Sequence, residues 1–88
     1  MDIGIKKVLG NLLKKLRTKK AHSRLTQKEF SEVSGLHVNT IHLLEQGANE
    51  PRISTFIFLA KAFDIEPEEL MKLLMEEYYK KPSKRSKK

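Results

Sequence analysis

The stretch from Thr26 to Gly47 restricts the possible folds of this chain more than any other segment does. Thr26 followed three residues later by Glu29 has the spacing of a capping box. In that arrangement the Thr26 hydroxyl accepts the backbone N–H of Glu29, and the Glu29 carboxylate reaches back to the N–H of Thr26. A short helix then buries Phe30 and Val33 and stops at Gly35, a residue suited to the left-handed position after a helix. A second helix follows almost at once, from about Val38 to Gln46. Its buried stripe is Ile41 and Leu44, with Leu36 just before it and Gly47 closing it. Two short helices divided by a few residues that include a glycine form a helix-turn-helix. Leu36 plugs the gap between them, and Ile41 and Leu44 hold the second helix on the first. Val38, Asn39, His42 and Leu43 are left on the outer face near the helix start, where a recognition helix meets base edges in a major groove.

The remaining apolar residues keep helical spacing. Ile5, Leu9, Leu12, Leu13 and Leu16 predict an amphipathic helix over about 5–20. Ser54 can cap a fourth helix running through about Phe63, with Phe56, Leu59, Ala60 and Phe63 on one face. Pro67 fits the first position of a fifth, whose opening Glu68 and Glu69 complement the positive end of the helix dipole. Its apolar side is Leu70, Leu73, Leu74 and Tyr78. No strand pattern and no internal repeat interrupts these segments. A chain of 88 residues has room for one small core. The expected fold is therefore all-α, a compact five-helix bundle over residues 1–79 that contains the helix-turn-helix at 26–47. The segment 80–88 has no hydrophobic residue and should be a disordered basic tail.

Charge is segregated along the chain. Residues 1–28 hold nine Lys or Arg against one acid, residues 29–79 hold three against ten, and residues 80–88 hold six against none. A basic end, an acidic body and a basic tail suit a protein that turns one side to a polyanion, nucleic acid first and an anionic membrane surface second. The membrane alternative is the weaker one, because the acidic body lacks a basic amphipathic helix with aromatic anchors. No apolar run approaches the ~20 residues that span a bilayer. Charged pairs such as Lys6–Lys7 and Lys14–Lys15 break every stretch that could serve as a signal peptide. A cytoplasmic location is the expectation.

Catalytic chemistry finds little support. With no Cys there is neither a disulfide framework nor a thiolate metal site. His42 and Glu45 stand three residues apart on a helix, as some metal ligands do, but no third ligand lies nearby in sequence. There is no Gly-rich phosphate loop and no recognisable Ser–His–acid set; His22 and His37 read as surface or turn residues. No metal, cofactor or enzymatic activity is expected.

The ordered set Leu25-Thr26-Gln27 with Gly35-Leu36, then Thr40-Ile41, Glu45-Gln46-Gly47 and Pro51, resembles the Xre/Cro/lambda-repressor class of DNA-binding domains. Phe56, Leu59-Ala60, Phe63 and Leu70 match that family's fourth and fifth helices, and the resemblance spans roughly residues 9–75. It implies double-stranded DNA as the partner. At matching positions it further implies that Gln27, Gln46 and Arg52 contact phosphates and that Asn39 reads a base; Thr26 and Lys28, on either side of Gln27, are candidate phosphate contacts as well. It also implies that Arg17 and Glu45 form a buried ion pair tying the first helix to the recognition helix. This chain departs from the pattern in three places. The segment from Arg17 to Gln27 is about three residues longer than usual. His37 replaces the common Ser or Asp cap and should hold the recognition helix start less well. Leu43 stands where phage repressors often carry a polar residue, and it can offer only an apolar contact, as to a thymine methyl.

Ile57 and Phe58 make the fourth helix apolar nearly all round, more than a monomer core requires, which favours self-association. With Leu74 and Tyr78 they are the candidate dimer interface. These readings converge on a transcriptional regulator, a repressor or controller protein that binds a pseudo-palindromic operator as a homodimer. The rival from another class is an antitoxin or bridging protein that uses the same fold chiefly to bind a protein partner.

Overall fold

A computed structural model describes residues 4–19 and 24–80. These form five helices: α1 (Ile5–Lys19), α2 (Gln27–Ser34), α3 (Val38–Glu45), α4 (Ile53–Ala62) and α5 (Pro67–Lys80). Among the described residues there is no strand. His22 and residues 81–88 lie outside them, so the expectations for that histidine and for most of the tail do too. Lys80 belongs to α5, one residue beyond the boundary the sequence predicts.

The core is built from one stripe of each helix. Val8, Leu9, Leu12 and Leu13 of α1 meet Ile41 and Leu44 of α3, Leu59 and Ala60 of α4 with Phe63 just beyond it, and Leu70 and Leu74 of α5. Phe30, the buried residue of α2, stacks on Phe63 with ring centroids 4.8 Å apart. Helix α1 packs against α3 and α5, α2 against α3 and α4, and α4 against α5. No described helix is long and apolar enough to cross a membrane.

Three sequence-based expectations are corrected here. Val33 is 59% exposed rather than buried. Gln27, Phe30, Ser31 and Ser34 share the inner side of α2, and at about 100° per residue that rotates Val33 to the outside. Ser54 does not cap α4. The helix starts earlier, with Arg52 in extended backbone at the N-cap position and no side-chain cap bond. Leu74 is only 5% exposed, so it belongs to the core and offers nothing to a dimer contact in this arrangement. The cause is spacing: Leu74 falls one turn after Leu70 and shares its inward direction.

Candidate nucleic-acid interface

Local chemistry sets the angle between α2 and α3. Both bonds of the capping box are present: Glu29 N–H donates to Thr26 Oγ1 at 3.0 Å, and Thr26 N–H donates to Glu29 Oε1 at 2.9 Å. At the other end Gly35 takes φ 80°, ψ 9°, and its N–H donates to the Ser31 carbonyl. Only glycine adopts that left-handed conformation without a steric cost. Two serines then secure the turn. Ser31 donates its hydroxyl to the Leu36 carbonyl, and the Leu36 N–H donates to Ser34 Oγ at 3.1 Å. The turn is thereby bonded to the helix it leaves, which makes the step from α2 to α3 rigid.

His37 precedes α3 in extended backbone and makes no side-chain cap bond. At about 100° per residue, Val38, His42, Gln46, Asn39 and Leu43 fall in that angular order on one arc of about 140°. Val38, Asn39, His42 and Gln46 are exposed and Leu43 half-buried, while Ile41 and Leu44 face the core. The arc therefore presents two amides, an imidazole and two apolar side chains to the outside. Such groups can read base edges: an amide suits adenine, and an apolar side chain suits a thymine methyl.

Behind the arc lies a buried polar junction. Arg17 grips Glu45 with two bonds, Nε to Oε2 at 2.7 Å and Nη2 to Oε1 at 2.8 Å, and its Nη1 donates to the Leu25 carbonyl at 2.8 Å. The arginine and glutamate side chains are only 8% and 4% exposed. The hydrogen bond to Glu45 raises the Arg17 pKa and burial opposes it, so the guanidinium stays charged. Gln27 adds a third member, its Nε2 donating to Glu45 Oε1 at 3.0 Å. One carboxylate at the end of α3 is thus held from both α1 and α2.

Gln27 is a place where the structure alters the expectation. One amide hydrogen is committed to Glu45, which leaves the second N–H as the donor that can meet a phosphate. Thr26 is committed to the capping box, although its hydroxyl proton is still available. Lys28 and Arg52 are exposed. Arg52 borders a shallow groove with Thr40, Asn49, Ser54 and Thr55, between α3 and the start of α4. Such donors are the usual phosphate ligands of DNA-binding proteins.

Two features escaped the sequence reading. A Cβ on Gly10 would lie 2.6 Å from the Leu44 carbonyl oxygen and 2.7 Å from that of Glu45, so α1 crosses the end of α3 at backbone contact. The only trace in sequence is a glycine inside a strongly helical pattern. The second is apolar exposure beyond the expected pair. Phe58 is 48% and Ile57 37% exposed, but Ile53 is 80% and Met71 44% exposed as well. Tyr78 is half-buried, edge-on to Tyr79 with ring centroids 5.3 Å apart. Among the described residues no three His, Asp or Glu side chains gather as metal ligands would.

Comparison with known families finds that a helix-turn-helix model matches residues 13–70, well over half of the chain. The match covers the second half of α1 from Leu13, the capping box, the outer arc of α3 and α4, and it ends at Leu70 in the first turn of α5. A comparison with curated proteins gives no significant match.

Proposed function

The chain belongs to the Xre/lambda-repressor-like helix-turn-helix family, and from that footing we propose that it is a sequence-specific transcriptional regulator. In this reading it is a repressor or controller protein that occupies a pseudo-palindromic operator in the cytoplasm as a homodimer. The observation that carries the reading is the exposed arc of α3, held on a rigid frame by the Arg17–Glu45–Gln27 junction. Asn39 reads adenine through its amide, His42 and Val38 meet the neighbouring base edges, and Leu43 contacts a thymine methyl. Lys28, Arg52, Gln46 and the remaining donors of Gln27 and Thr26 fix the register on the phosphates. None of these residues does covalent chemistry, and control is exerted by occupancy.

A single recognition helix touches only a few base pairs. Useful specificity requires two half-sites about one helical turn, 34–36 Å, apart and bound by a symmetric pair. Ile57 and Phe58, exposed on α4, supply the apolar contact for that pair, with Tyr78 at its margin. The test is selection of bound duplexes from a random pool at about physiological salt. The expected product is an enriched inverted repeat with half-site centres about 10–10.5 base pairs apart or a multiple of that. A pool with no enrichment, or with an asymmetric motif, would contradict the reading.

One observation favours the rival reading. Ile5, Leu9, Ile53, Phe56 and Met71 line a mostly apolar groove between α1, α4 and α5, with Ile53 largely exposed at its edge. A groove of this kind suits a protein partner, as an antitoxin or bridging protein would need. Isolation of a stable heteromeric complex together with failure of the DNA selection would favour that alternative.

A further inference from the structure

We propose that Lys6 and Lys7, in the first turn of α1, bind DNA phosphates and carry the interface past the C-terminal end of the recognition helix. The inference rests on the DNA-binding reading above. Neither residue lies in the helix-turn-helix or within the family match, which begins at residue 13.

The first observation is a tight seam. Gly47, in the left-handed region at φ 76°, follows α3 so closely against α1 that a Cβ on it would lie 3.0 Å from the Cα of Lys7. The same atom would lie 3.4 Å from the Lys7 nitrogen and 3.5 Å from the Lys6 carbonyl oxygen. One turn further along α1, Gly10 meets the Leu44 and Glu45 carbonyls at still closer range. The first turn of α1 is therefore fixed beside Gln46 and the loop that leads to Arg52. Lysine has a long flexible stem, so a position pinned at the backbone still lets the ammonium group reach along that edge.

The second observation is charge placed against the needs of the helix. Helix α1 carries Lys6, Lys7, Lys14, Lys15 and Lys19 and no acid. Cations in a first turn oppose the helix dipole, and acids there would stabilise it. A sequence shaped only for helix stability would not begin with two lysines.

The third observation is that, among the described residues, no ion pair engages these lysines. Lys6 and Lys7 are both exposed. Among the described residues neither forms an ion pair, whereas Lys15 of the same helix pairs with Glu77 at 3.1 Å. Glu50 shares a groove with Lys6 without pairing to it. Two cations that pair with no acid among the described residues, placed beside the proposed phosphate contacts at Gln46 and Arg52, complement the backbone of the same duplex.

The experiment compares the full chain with Lys6→Ala/Lys7→Ala by fluorescence anisotropy, on the selected operator and on a random duplex, across about 50–200 mM salt. Each phosphate neutralised contributes about −0.9 to the slope of log affinity against log salt. The double variant should be shallower by about 0.9 per chain for each lysine engaged, and should lose affinity by similar factors on both duplexes. Lys6→Arg/Lys7→Arg should keep the wild-type slope. Lys72→Ala, which removes one charge from α5, should change the slope little. An unchanged slope in the double alanine variant, with DNA binding intact, overturns the inference alone. An equal change per charge in Lys72→Ala also overturns it, because net charge would then explain the effect. A wild-type chain that binds no duplex overturns the DNA-binding reading and the inference with it.

Discussion

Replacing Arg17 by Met should destabilise the domain by about 3–5 kcal/mol, the range for removing one partner of a buried ion pair. Three bonds go at once: two to Glu45 at 2.7 and 2.8 Å and one to the Leu25 carbonyl at 2.8 Å. The Glu45 carboxylate, 4% exposed, would retain only the Gln27 amide at 3.0 Å. A chain of 88 residues has a total stability of roughly 4–13 kcal/mol at about 0.05–0.15 kcal/mol per residue. The single change therefore removes a large share of it. Glu45→Met should cost a similar amount by stranding the guanidinium. The double variant Arg17→Met/Glu45→Met removes both charges and replaces them with apolar volume, so it should be more stable than either single variant. Urea denaturation followed by far-UV circular dichroism measures all four corners of the cycle. Losses that simply add, or single losses below about 1 kcal/mol as at a surface pair, would show that the junction does not act as a buried unit. The raised Arg17 pKa keeps that stabilisation complete below its ordinary value, and it fades only as pH rises through the still higher folded value.

Three further outcomes follow from other parts of the structure. Gly10→Ala should lower the melting temperature although alanine favours helix by about 0.5–1 kcal/mol. Its Cβ would lie 2.6 Å from a backbone carbonyl, and overpacking of that kind costs about 1–3 kcal/mol; an unchanged or raised melting temperature would mean that α1 and α3 can separate freely. Glu77 has a pKa lowered chiefly by its hydrogen bond from Lys15, so its contribution is present above the unfolded carboxylate value and is lost as pH falls through the lower folded one. Glu77→Gln should flatten the acid side of a stability–pH curve by less than about 1 kcal/mol, and identical curves would show that the pair does not form in solution. Phe58→Lys should leave the circular dichroism spectrum intact and shift sedimentation toward monomer; unchanged dimers would exclude α4 as the contact.

The legible parts of this fold were those governed by neighbours in sequence. The capping box at Thr26 and Glu29, the left-handed Gly35 and the opening of α5 at Pro67 are local devices, and spacing alone identifies them. Val33 was misread because an apolar residue at a plausible interval looks buried unless the inner side of an eight-residue helix is known. Ser54 was misread because Arg52 enters helical hydrogen bonding through its backbone, with Phe56 N–H donating to its carbonyl at 2.9 Å, and needs no side-chain cap. Leu74 shows that an apolar stripe does not say which of its members remain exposed. Nothing in helical periodicity brings Arg17 to Glu45, and only the family resemblance pointed there. Gly10 depends on how closely two helices cross, which no local pattern encodes. The same division holds at the candidate interface, where the outer arc of α3 follows from periodicity but the Arg17–Glu45–Gln27 junction requires three helices in place.

Asn39→Ala, titrated against the selected operator and against random duplex at the same salt, is the decisive measurement. If the outer arc of α3 reads bases, loss of a bidentate amide contact to adenine should cost about 1–3 kcal/mol on the operator. Random duplex should be bound as before, and preference should relax at one position in each half-site. Equal losses on both duplexes would make Asn39 a phosphate contact or a folding residue, and no loss on either would contradict base reading by this helix.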